Sequence, residues 1–105
     1  MEITIKDFQK EVLQSELPVL VEFWASWCLP CQTAKPLLEE INKEYDGRVK
    51  IVAINLDRNP LISERYQIKG LPTFALFKNG REIQRKVGAQ SKDDLHTAIS
   101  NLLSC

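Results

Sequence analysis

The stretch WASWCLPCQTAKP, residues 24–36, sets two of the chain's three cysteines, Cys28 and Cys31, three positions apart. Before them runs VLVEFWA, residues 19–25, too short for a typical helix and apolar on both faces except at Glu22. That is the pattern of a central strand covered on both sides. After them Ala34, Leu37, Leu38, Ile41 and Tyr45 recur at helical spacing, so a helix is expected from Cys31 onward, with Gly47 placed to cap it. The cysteines therefore stand where a buried strand hands over to a helix. Pro36 falls inside that helix and is expected to kink it, because it lacks an N–H and crowds the preceding turn.

This position has chemical consequences. A sulfur just before a helix faces unpaired backbone N–H groups and the positive end of the dipole, which favour thiolate over thiol. Cys28 is then the natural nucleophile. Cys31, one turn on, shares its face of the helix and can attack a mixed disulfide formed at Cys28. Three other uses of the pair compete with this one. A structural zinc site needs four ligands, and beyond the pair only Cys105 and His96 remain, both on the last helix. A c-type haem requires histidine where Gln32 stands. A purely structural disulfide closing so small a loop adds little chain-entropy stabilisation.

The rest of the chain frames the site. A short first strand is expected at residues 2–5, and Thr4 and Asp7 have capping-box spacing before a helix near residues 6–14. VKIVAINL, residues 49–56, reads as a second buried strand, and Pro60–Tyr66 as a short helix with proline in its first turn. PTFALFKNGREIQRKVG, residues 72–88, reads as a hairpin turning at Asn79-Gly80, with Arg81, Arg85 and Lys86 suited to an exposed edge. Ser91 and Asp94 form a second capping box before Leu95, Ala98, Ile99 and Leu102. The order β, α, β, α, β, α, β, β, α implies a three-layer α/β domain with a mixed sheet.

Composition narrows the function classes. Basic and acidic residues balance at 14 each, which gives no overall electrostatic reason to expect nucleic acid or an anionic membrane as partner. The opening MEITIKDFQK lacks the basic and apolar segments of a secretory signal, and no apolar run nears the roughly 20 residues of a membrane span. Repeats and Pro/Gly/Ser linkers are absent, so residues 1–105 are expected to form one domain, soluble and cytoplasmic, or in another reducing compartment if a targeting segment was removed. In a reducing compartment a cysteine pair is more often catalytic or metal-binding than structural.

FWASWCLPC, GLPTFALFKNG and KVGAQS resemble the thioredoxin family, in matching order and spacing over essentially the whole chain. The resemblance implies a thioredoxin fold: a central five-stranded mixed sheet of order 1-3-2-4-5, flanked by four helices. It implies a thiol-disulfide oxidoreductase that reduces disulfides in target proteins through a reversible Cys28–Cys31 disulfide. No bound cofactor or metal is then expected. Electrons would come from a thioredoxin reductase, NADPH- or ferredoxin-dependent, and the protein would act as a monomer. A lowered thiol pKa is known behaviour of the thioredoxin C-x-x-C pair and is carried over with the resemblance.

Residue by residue, the resemblance makes Cys28 the attacking thiolate and Cys31 the buried resolving thiol. Trp27 matches the family tryptophan beside the site. Pro72 matches the family's cis-proline, leaving the backbone of Leu71 free to bond an extended substrate, with Gly70 and Gly88 keeping the groove open. Glu22 takes the place of an aspartate that relays a proton to or from the resolving cysteine. An acid in an apolar strand is costly to bury unless neutral, hydrogen-bonded or working, so its pKa is expected to be raised by desolvation.

Three departures leave the redox potential open. Leu29 replaces the glycine of C-G-P-C, which makes Leu29 and Pro30 the candidates for redox tuning; Glu22 replaces aspartate; and Ala53 stands where many relatives carry lysine. A competing function is a noncovalent protein-binding module whose rim around Trp27 and Leu29 holds a partner, the thiols being secondary. Cys105 is expected to be an incidental terminal thiol, with mixed-disulfide formation as the alternative, and His96 is given no role.

Overall fold

The computed structural model describes residues 1–104; Cys105, and with it the expectation for its thiol, lies outside them. In chain order the elements are β1 (Glu2–Ile3), α1 (Ile5–Phe8), β2 (Val19–Trp24), α2 (Leu29–Glu44), β3 (Lys50–Asn55), α3 (Pro60–Arg65), β4 (Thr73–Lys78), β5 (Arg81–Val87) and α4 (Lys92–Ser104). α1 continues through Gln9–Leu13 with π-helical pairing. The strands lie in the order β1-β3-β2-β4-β5, with β1, β3 and β2 parallel and β4 antiparallel to both β2 and β5. This is the thioredoxin fold that the motifs implied.

Side-chain alternation along β2 assigns the two layers. Leu20 points with Ile51, Phe74 and Leu76 toward Leu38 and Ile41 of α2 and Leu95 and Ile99 of α4. Val19, Val21 and Phe23 point with Val52, Ile54 and Phe77 toward Phe8, Val12 and Ile62. Both faces of β2 are thus sealed, which is why its sequence is nearly continuous in apolar residues. Each fully buried Leu or Phe contributes about 1.5–3 kcal/mol. Glu22 shares parity with Leu20, so the alternation turns its carboxylate toward the α2 layer.

Several boundaries differ from expectation for identifiable reasons. α2 starts at Leu29 rather than Cys31, because Pro30 occupies its first turn, where its fixed φ suits a helix start. The same helix ends on Tyr45, whose carbonyl accepts the N–H groups of Arg48 and Val49 at 2.8 and 3.0 Å; Gly47 lies in that turn and is not the cap residue. The first strand is two residues long, not four, because Thr4 already serves as the N-cap of α1.

At the hairpin tip Asn79 and Gly80 both have positive φ, 54° and 78°, as a tight primed turn requires. A Cβ on Gly80 would lie 2.9 Å from the Leu13 carbonyl oxygen, so the tip packs closely on the end of the first helical segment. Ser91 and Asp94 cap α4 reciprocally, each backbone N–H bonding the other's side chain at 3.0 Å. Because β2 and β3 run parallel, the loops after both strands open at the same end of the sheet. In such sheets that end is where sites form.

Candidate active site

At the end of β2 the chain turns through Ala25–Trp27, closed by Cys28 N–H donating to the Ala25 carbonyl at 3.1 Å. Cys28 is left as the N-cap of α2 in extended conformation, and its Sγ accepts the Cys31 N–H at 3.3 Å. A sulfur has taken the place usually filled by a Ser or Asp oxygen. Cys28 and Cys31 are joined as a disulfide with Cα atoms 5.3 Å apart. Cys31 is completely buried and Cys28 nearly so, in a small apolar cluster with Ala25 against which Trp24 and Leu71 pack. On either side of Cys28 the opposite holds: Trp27 is 74% exposed and Leu29 76%.

A groove of about 700 Å³ runs past this pair, lined by Trp27, Cys28, Leu29 and Pro30 on one side and by Gly70 and Leu71 on the other. The Leu71–Pro72 peptide is cis. Pro72 is buried and, like Gly88, is not part of the groove wall; its carbonyl accepts the Gly88 N–H at 2.8 Å, which ties the start of β4 to the end of β5. Gly70 does line the groove, and its missing side chain also admits Val87: a Cβ there would meet Val87 Cγ1 at 2.8 Å.

Asp57 belongs to this site and was not anticipated. Its carboxylate accepts the Ser26 N–H at 2.9 Å, the Ser26 hydroxyl at 2.7 Å and the Trp27 indole N–H at 3.1 Å. The Ser26 hydroxyl above all, then the Ser26 N–H and Trp27, hold its carboxyl below the usual carboxylate range. The exposed indole beside Cys28 is therefore fixed from the turn that follows the neighbouring strand. The signal that could have found it is topological: Asp57 follows β3 where Trp27 follows the parallel strand β2.

Glu22 is 2% exposed, and its Oε2 has no hydrogen-bond partner among the described residues. In the ladder it stands opposite Ala53 on β3 and Phe74 on β4, neither of which offers a polar side chain. Burial pushes its pKa up to about 7, with Lys35 pulling it down and Glu2 pushing it up. The raised value matches the expectation, and so does its cause. Glu22 does not line the substrate-side groove but a second cavity of about 250 Å³, which Glu2, Trp24 and Lys35 also line.

No group of three or more His, Cys, Asp or Glu side chains among the described residues could hold a metal ion. His96 joins α4 to the end of α2 through Tyr45 Oη at 2.8 Å and Glu44 at 2.9 Å.

Comparison with known proteins agrees with this geometry. The family model described as Thioredoxin matches residues 1–101. A curated protein named Thioredoxin from Rickettsia bellii (strain RML369-C) is 48% identical over 99 residues, covering 94% of both chains. Another of that name from Rickettsia felis (strain ATCC VR-1525 / URRWXCal2) is 50% identical over 93 residues, 89% of both. Thioredoxin 1 of Nostoc sp. (strain PCC 7120 / SAG 25.82 / UTEX 2576) is 40% identical over 102 residues, 97% of this chain and 95% of the relative.

Proposed function

The chain belongs to the thioredoxin family and is a thiol-disulfide oxidoreductase, and we propose that it works as a cytoplasmic electron carrier in which Cys28 attacks, Cys31 resolves and Glu22 handles the proton. In the reduced protein the Cys28 thiolate attacks one sulfur of a target disulfide. A Cys28–target disulfide forms and one target thiolate leaves. Glu22 takes the proton of Cys31, whose thiolate attacks Cys28 Sγ; the second target thiolate leaves and the Cys28–Cys31 disulfide forms. Two electrons pass to the target, whose two thiolates are protonated from Glu22 and solvent.

The observation that carries this assignment is the Cys31 N–H on Cys28 Sγ at 3.3 Å, at the start of a helix of 16 residues. That donor and the dipole end both favour negative charge on Cys28, while Cys31 lies behind it without solvent contact. Trp27, Leu29, Pro30, Gly70 and Leu71 hold the target segment in the groove, and Pro72, tied to Gly88 behind the lining, sets the course of the Leu71 backbone. No bound cofactor takes part. A reductase, drawing on NADPH or ferredoxin, returns the disulfide to the dithiol, which suits a compartment kept reducing. The protein acts as a monomer, and its targets are proteins with accessible disulfides.

The test is reduction of insulin disulfides with dithiothreitol as donor. Turnover by the native protein, lost on Cys28→Ser, is expected; equal rates for both would refute the assignment.

A further inference from the structure

The cavity that Glu22 lines holds more charge than its ladder neighbours suggest. Across the sheet Glu22 faces Ala53 and Phe74, so the strands on either side supply no counter-charge. What reaches the cavity comes from the edge of the sheet and from the helix above it: Glu2 on β1, Lys35 and Glu39 on α2, and Met1, whose ammonium donates to the Ile51 carbonyl at 3.1 Å.

Trp24 organises two of these. Its indole N–H lies 3.2 and 3.1 Å from the two Glu2 carboxylate oxygens, and the Lys35 ammonium sits over its ring, 4.2 Å from the centroid. One side chain thus holds an anion at its edge and a cation on its face, beside a cavity whose inner wall carries a buried acid with an unpartnered oxygen. The contact has the geometry of a cation–π pair, which restrains a lysine that would otherwise wander in solvent.

We propose that Lys35 and Glu2 are positioning residues for Glu22, acting on it with opposite sign from the rim of this cavity, with Trp24 keeping both in place. The proposal rests on the relay role given to Glu22 above and names what tunes it. Lys35 favours the carboxylate, which readies Glu22 to take the proton of Cys31. Glu2 favours the protonated acid, which readies Glu22 to give a proton back. Burial brings the group near neutral pH and these two charges trim it from either side, so that it can do both. A cation that could have come from β3 at position 53 is supplied in this chain by α2.

The experiment is a titration of the Glu22 side-chain carboxyl carbon by NMR in the oxidised protein, comparing Lys35→Met, Lys35→Arg and Glu2→Gln with the native chain. Methionine keeps an apolar stem on the Trp24 ring, and glutamine keeps an acceptor for its N–H. Lys35→Met should move the Glu22 midpoint upward by about 0.5 in pH or more, and Glu2→Gln should move it downward. Lys35→Arg should leave it near the native value. Unchanged midpoints would overturn the proposal, and so would a downward move in both Lys35→Met and Glu2→Gln, the mark of a pocket merely opened to water. The relay itself is read separately. A Glu22 midpoint that moves while the pH profile of insulin reduction does not would refute the relay and leave the two tuning residues assigned.

Discussion

The backbone N–H of Cys31 points at Cys28 Sγ from 3.3 Å, so in the proposed mechanism the resolving residue also favours charge on the attacking one. The contact is local, set by a helix that starts at Leu29, yet it places two chemically identical side chains in different surroundings. Cys28 meets the groove, and Cys31 has no exposed surface.

That separation predicts different fates for the two serine variants. Cys31→Ser should accumulate a covalent Cys28–target disulfide, visible as a mass adduct that dithiothreitol removes. Cys28→Ser should form no adduct. Equal trapping by both would mean that the two thiols are interchangeable.

Asp57 should matter to protein targets more than to small ones, because it orients the exposed Trp27 without touching the sulfurs. Asp57→Ala is expected to lower kcat/KM for insulin by roughly threefold to tenfold. Reduction of a small aromatic disulfide should change far less, and Trp27 emission should report a freer ring. An equal loss on both substrates would place the effect in the chemistry rather than in docking.

Glu22 makes stability depend on pH in an unusual direction. Its folded pKa, about 7, lies above the ordinary 4.5, so between those values the folded chain holds a proton that the unfolded chain has released. The contribution is fully present below pH 4.5 and is lost as pH rises through about 7. Asp57, Asp94 and Glu44 have lowered values, so their contributions are present above the ordinary range and fade only at more acid pH. Urea melts of the native protein should therefore lose about 3 kcal/mol between pH 4.5 and 8, and Glu22→Leu should flatten that slope. A native profile already flat across this window would show that Glu22 ionises normally.

The hairpin tip offers a control on the fold. Gly80→Ala combines a positive φ with a contact on the Leu13 carbonyl oxygen, and should cost about 2–3 kcal/mol. Gly88→Ala has positive φ but open space around its Cβ, and should cost only about 1 kcal/mol. Thermal melts that rank the two the other way would contradict the packing of the tip against the first helical segment.

Much of this was legible in the sequence because its signals are local. The apolar run of β2, the Asn79-Gly80 turn and the Ser91–Asp94 box each act within a few residues, and each appears where expected. The cysteine pair was legible for the same reason. What escaped depends on juxtaposition across the sheet. Nothing in LDRNP, residues 56–60, says that Asp57 will meet an indole 30 positions earlier. Nothing in MEIT or TAKP says that Glu2 and Lys35 will share the ring of Trp24. The short reach of β1 and the early start of α2 were lost to end effects, where the N-cap Thr4 in one case and Pro30 in the other outweigh the apolar pattern.

The most direct measurement is the pH dependence of Cys28 alkylation by iodoacetamide in the reduced protein, read by mass spectrometry site by site in a Cys105→Ser background. A Cys28 midpoint well below the ordinary thiol value of about 8.5, with Cys31 reacting far more slowly, is the predicted result. A Cys28 midpoint at or above about 8.5, or equal rates at the two sulfurs, would contradict the claim that the start of this helix makes the nucleophile.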